Sequence, residues 1–189
     1  IMAWEELLKE TYPDDDLIPE KNKDVKRLQL IADRFSKIGS LPEPVETDLK
    51  EVMEHVIDYM DRRTSNKVQM IRQFPETDIR VKINASLFEW VIENLSKNAV
   101  DAMGGEGKIT LKMWEEPTKA VIEVTDTGKG IRKKDLRNVF RPGFTTKKRG
   151  WGLGLSLAKR IIEEYHKGRI WVKWSEVGVG TTFRIELKK

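Results

Sequence analysis

The chain has 189 residues, of which 39% are hydrophobic and 35% charged, enough for one full domain with an appendage and too apolar for a mainly disordered state. It holds no cysteine and only two histidines, His55 and His166, which excludes disulfides, thiolate metal sites and a histidine-rich metal centre. A net charge of +4 from 35 basic and 31 acidic residues is a mixed surface that argues against nucleic-acid binding, and no apolar run or leader pattern points to a membrane.

Residues 1–11 carry helical spacing without a start signal, and a second helix is predicted over about 17–38. Its apolar residues Val25, Leu28, Ala32 and Phe35 repeat in steps of three and four, the stripe of a helical hairpin or a dimer seam. "GSLPEPVE" at 39–46 reads as a linker. Thr47 or Asp48 then caps a helix running to about residue 63, and "KVQMIRQF" and "DIRVKI" read as strands on either side of a turn at Pro75–Asp78.

Asn84 caps a long helix whose Leu87, Phe88, Val91, Ile92, Leu95, Ala99 and Ala102 form one apolar face. "KITLKMW" and "AVIEVTD" follow as a strand pair. Next come a short helix near 133–138, an irregular polar stretch to about 151, a helix over about 152–166, and the strands "RIWVKW" and "TTFRIEL". This arrangement predicts an α+β fold, a two-layer sandwich of helices on one face of a mixed sheet, preceded by part of a helical hairpin. The expected division is 1–40 for the hairpin remnant and 45–189 for the main domain.

Four segments carry chemistry. In "ENLSKNAVDA", Asn94 and Asn98 lie four apart on one helix face and Asp101 follows, a row open to two readings: a solvated face, or amide oxygens for Mg²⁺, which takes hard ligands and keeps several waters. In "VTDTGKGI", Asp126 at a strand tip either bonds its own backbone in a turn or accepts a hydrogen bond from an adenine amine beside Gly128 and Gly130. "VFRPGFTTKK" sets Phe140 and Phe144 in a long polar loop. "GWGLGL" places Gly150, Gly152 and Gly154 before a helix, either as a flexible connector or as bare backbone for an anion at a helix N-terminus.

In this order the segments resemble the N, G1, F and G2 boxes of the GHKL (Bergerat-fold) ATP-binding domain, and within it the sensor histidine kinases of two-component signalling. "GVGTTF" at 178–183 is similar to the closing Gly-x-Gly-Thr element of that family. The resemblance covers about 45–189 and implies ATP and Mg²⁺ as ligands, with γ-phosphoryl transfer to a histidine. It implies Asn98 as the Mg²⁺ ligand, Asn94 on the phosphate side with Asp101 near it, and Asp126, Gly128 and Gly130 at the adenine. Lys147, Gly150, Gly152, Leu153 and Gly154 would form a lid over the triphosphate, and Thr181 would support Asp126. Asn94, Lys147 and Glu93 are the catalytic candidates. An amide at position 94, where gyrase-like relatives have a glutamate, favours transfer over hydrolysis, while the adjacent Glu93 leaves the base open.

The resemblance further implies a homodimer, a response regulator receiver domain as partner, and a bacterial, cytoplasmic kinase with a possible membrane anchor elsewhere. Residues 1–38 are expected to be the end of a dimerisation hairpin without its acceptor histidine, so that the chain begins after its own acceptor. Two alternatives share the ligand: a nucleotide-gated interaction module without transfer, and an ATPase of gyrase, MutL or chaperone type.

Overall fold

The computed structural model describes residues 43–147 and 151–189. The predicted hairpin helices and the 1–40 division, together with Lys148, Arg149 and Gly150, lie outside the described residues. Strand β1 (Val45–Asp48) runs into helix α1 (Leu49–Asp61), whose N-cap Asp48 accepts the Lys50 amide proton at 2.8 Å. Strands β2 (Val68–Gln73) and β3 (Arg80–Ile83) precede helix α2 (Ala85–Met103), capped by the Asn84 side chain on the Leu87 amide and closed by Gly104 at φ +67°. Strands β4 (Gly107–Glu116) and β5 (Lys119–Asp126) form a hairpin. Helix α3 (Gly154–Arg160) continues into a π-helical turn (Ile161–Tyr165), and β6 (Arg169–Glu176) and β7 (Gly180–Lys188) end the chain.

The five-stranded sheet has the order β2-β4-β5-β7-β6. Only β2 and β4 are parallel, joined by the crossover through α2 that parallel neighbours require. The α+β sandwich expected from the sequence is therefore the observed fold. The inner face of β4, β5 and β7, including Leu111, Ile122 and Ile185, is buried; α2 packs on β4 and β5, and α1 and α3 pack on α2. Phe88, Val91, Ile92 and Leu95 of α2 are at most 1% exposed, each contributing roughly 1.5–3 kcal/mol of burial. On the outer face Arg184 lies over the rings of Trp114 and Trp171 and pairs with Glu116, Glu123 and Glu186, although Arg184 Nε and Glu123 Oε1 are buried without a hydrogen-bond partner.

Several expectations change. Residues 45 and 46, placed in the linker, belong to β1. This strand pairs antiparallel with β3 in a separate two-stranded sheet, so β2 and β3, although they flank the turn, pair with other strands. Four residues with Val45 61% exposed are too few to show alternation. The helix near 133–138 is a run of turns instead. The amides of Asp135, Asn138 and Arg141 each bond the carbonyl three residues back. Asp135 and Asn138 commit their side chains to local partners, Arg132 at 2.7 Å and Arg141 at 3.2 Å, which competes with a helical ladder.

Candidate nucleotide-binding site

Helix α2 organises the site. Its apolar stripe faces the sheet, which leaves Asn94, Asn98 and Asp101 along its flank. At its last turn the Ala102 carbonyl accepts the Lys129 amide at 2.9 Å, and Gly128 packs so closely on Ala102 that a Cβ there would stand 2.7 Å from the Ala102 carbonyl carbon. The loop after β5 is thus docked directly onto the end of the helix that carries the asparagines.

Asp126 closes β5 and is 5% exposed. Its Oδ1 accepts the Gly128 amide at 2.8 Å, and its carboxyl also accepts the amide of Thr181, its register partner on β7. Burial pushes the carboxyl above the usual aspartate range, and the two amides act against that shift. The turn reading of Asp126 is what the structure contains, and it leaves acceptor capacity on the carboxyl for a ligand. Gly180, at φ +152°, lets the hairpin pass against the Asp126 carbonyl, and Gly130, at φ +68°, does the same against the Glu176 carbonyl. Thr181 supports Asp126 through its amide, while its hydroxyl bonds Ser175 at 2.9 Å.

Ser175 was not picked out from the sequence. Its hydroxyl accepts the Ile131 amide at 2.8 Å and reaches the Gly180 carbonyl at 3.1 Å, so β6 helps to hold the loop. A lone serine in a strand carries no signal of this; only the pairing of Ser175 with Thr181 reveals it.

At the other end, the Lys147 ammonium lies 2.8 Å from Asn98 Oδ1 and 2.5 Å from Asp101 Oδ2. The Thr145 hydroxyl accepts the Lys147 amide at 3.1 Å and turns the loop toward α2. Asn94 Nδ2 is buried with no hydrogen-bond partner, a donor left for an acceptor from elsewhere. Gly154 abuts the Asn94 amide, and a side chain there would displace it. Gly152, at φ +65°, packs on the Phe144 carbonyl, and its own carbonyl accepts the Gly143 amide at 3.1 Å. These two glycines therefore have packing reasons beside the anion-binding one; Leu153 stands between them as the residue before α3. Phe140 packs edge-on against Phe183 at 6.1 Å, anchoring the loop.

Glu93 stands apart from this cluster, its carboxylate held by Lys97 one turn on. His55 is exposed and bonded to Glu89 at 2.7 Å. His166 is buried, and its Nε2 accepts the Asn84 amide at 3.0 Å; burial lowers its pKa to about 4, so the ring is neutral and its proton sits on Nδ1. It is a structural link between the end of the π turn and the start of α2.

Among the described residues no three His, Cys, Asp or Glu side chains cluster as a metal site, and no helix is long and apolar enough to cross a membrane. Asn98 and Asp101 do supply two oxygens converging on a cation, which suits a metal that needs only one or two protein ligands.

Residues 83–189 match the family model described as histidine kinase-, DNA gyrase B-, and HSP90-like ATPase. The chain belongs to this family. Its relatives within the ATPase family are sensor histidine kinases, among them ZraS of Salmonella typhi, 35% identical over 167 residues that cover 82% of this chain and 36% of the relative. The chain thus spans about a third of the length of that curated relative. Among solved structures, the catalytic domain of histidine kinase ThkA superposes with a TM-score of 0.71 at 32% identity, over 78% of this chain and 97% of the domain. ThkA in complex with the response regulator protein TrrA gives a TM-score of 0.73 at 27% identity, covering 93% of this chain and 53% of that one. The resemblance read from the four boxes is therefore a true family membership, and the sheet and helices described above are those of a histidine kinase catalytic domain.

Proposed function

We propose that this ATPase-family domain binds ATP with Mg²⁺ and transfers the γ-phosphoryl group to a histidine of a dimerisation hairpin, as the catalytic part of a cytoplasmic sensor kinase module. The observation that carries the reading is that α2 bears the asparagine row on its flank and, at its last turn, docks the loop of Asp126. In this proposal Asp126 accepts a hydrogen bond from the adenine amine and Gly128 and Gly130 leave room for the ring. Thr181 braces the carboxyl, and the free Asn94 Nδ2 donates to a phosphate oxygen. Asn98, with Asp101 near it, holds the metal, which when bound neutralises charge on the phosphates. Lys147 supplies a point charge to the phosphates, and Gly152, Leu153 and Gly154 leave bare backbone for them.

In the transfer, the bond from the γ-phosphorus to the β–γ bridging oxygen breaks and a bond from the acceptor imidazole nitrogen forms, with ADP leaving. Position 94 is an amide, which cannot take up a proton and supports transfer over hydrolysis, while Glu93, ion-paired with Lys97, stays the candidate base. The receiver domain of a response regulator as partner follows the ThkA complex with TrrA, and a homodimer follows from the dimerisation hairpin that the sequence resemblance implies.

Calorimetry with the nucleotide analogue AMPPNP, with and without Mg²⁺, tests the site. Asp126→Ala should abolish binding, and Asn98→Ala should remove the Mg²⁺ dependence while leaving metal-free binding in place. Parent-like Mg²⁺-dependent binding by both variants would overturn the assignment. Supplying a separate hairpin that carries the acceptor should yield phosphohistidine; tight nucleotide binding without it would overturn the transfer reading.

A further inference from the structure

The contact between Lys147 and α2 joins a loop cation to the two oxygens best suited to a metal. The Lys147 ammonium is within hydrogen-bond distance of both Asn98 Oδ1 and Asp101 Oδ2, and the Thr145 hydroxyl fixes the backbone that delivers it. An ammonium and a dication both seek these oxygens, and two cations on one amide oxygen repel each other across a single atom. The pair is also easily parted, since both side chains are in reach of solvent, Lys147 38% and Asp101 57% exposed.

We infer that Lys147 and a divalent cation compete for Asn98 Oδ1 and Asp101 Oδ2, with Asp101 the positioning residue that holds the lysine there. With a divalent cation held by Asn98 and Asp101, the Lys147 ammonium would leave α2 and its charge would be free to face the phosphates. Asp101 has two tenants in turn, so the metal requirement of the site is set partly by a lysine on another segment. The inference deepens the proposed function and rests on its metal site at Asn98, but the exchange itself is measurable without nucleotide.

The test is Mn²⁺ alone, titrated into the full 189-residue chain and followed by the loss of the free-ion signal in electron paramagnetic resonance. Lys147→Met keeps length and removes charge, and it should bind Mn²⁺ at least about fivefold more tightly than the parent. Lys147→Arg should retain the parent's affinity, and adding Asn98→Ala to Lys147→Met should cancel the gain. Equal Mn²⁺ affinity of parent and Lys147→Met, or no binding by either, overturns the competition. Metal-free AMPPNP calorimetry on the same proteins reads the nucleotide site separately. A gain in Mn²⁺ affinity with no nucleotide binding would sink the proposed function and leave the competition standing.

Discussion

The two ends of the site are made of different material. Around Asp126 the partners are backbone: amides of Gly128 and Thr181 on the carboxyl, a carbonyl of α2 on the loop, and glycines where strands and helix touch. Around Lys147 the partners are solvent-accessible side chains, an amide and a carboxylate. Backbone contacts inside a sheet cannot change without unfolding something, whereas side-chain contacts at a surface exchange at little cost. The Asp126 end is a fixed socket, and the Lys147 end is adjustable.

The sharpest way to break this contrast is at the socket. Asp126→Ala should weaken AMPPNP binding at least about a thousandfold, roughly 4 kcal/mol, while leaving Mn²⁺ binding at Asn98 unchanged. A loss of both would show that the ends are not separable.

Acid acts on the frame that both ends share. His166 is neutral in the fold with a pKa of about 4, against about 6.5 when unfolded, so between these values the unfolded chain takes up a proton that the folded chain refuses. Stability should fall as pH drops from 6.5 to 4, by up to about 3 kcal/mol, and this contribution should not change further below. Protonation would also cost Asn84 its acceptor at the head of α2. The slope of melting temperature against pH should flatten in this window for His166→Gln, and nucleotide binding should decline together with stability in the parent.

Gly128→Ala drives a methyl group into the Ala102 backbone and should destabilise the fold by about 2 kcal/mol, read as a lowered melting temperature; the same change at Gly143 meets no neighbour, so its cost comes from the φ of +80° alone. The smallest effect belongs to the adjustable end. Raising salt to about 1 M, where charges are screened within about 3 Å, should narrow the Mn²⁺ affinity gap between parent and Lys147→Met. It should leave the relative effect of Asp126→Ala on nucleotide binding as it was.

This division also explains what could be read in the sequence. Helix α2 was legible because its period of 3.6 and its Asn84 cap agree, and β7 because Phe183, Ile185 and Leu187 alternate onto a buried face. The partners of β1, β2 and β3 were not, since pairing depends on which edges meet and not on any residue within a strand. The turns after Arg132 passed for a helix because local side-chain bonds leave no mark on periodicity. At the site, the boxes picked out candidate residues and left their partners hidden. That Lys147 lies on Asp101, that Gly154 abuts Asn94 and that Ser175 latches the Asp126 loop are facts of three-dimensional packing between segments distant in the chain.

The π turn at Ile161–Tyr165 has a consequence for how this chain tolerates change in length. Such a turn accommodates one residue more than an α-helical turn, so deleting a single residue there would let the helix straighten and would leave His166 beside the Asn84 amide. A one-codon deletion, which in a regular helix turns every later side chain by about 100°, would at this point be absorbed and would spare the tie between the carboxyl end of one helix and the amino end of another.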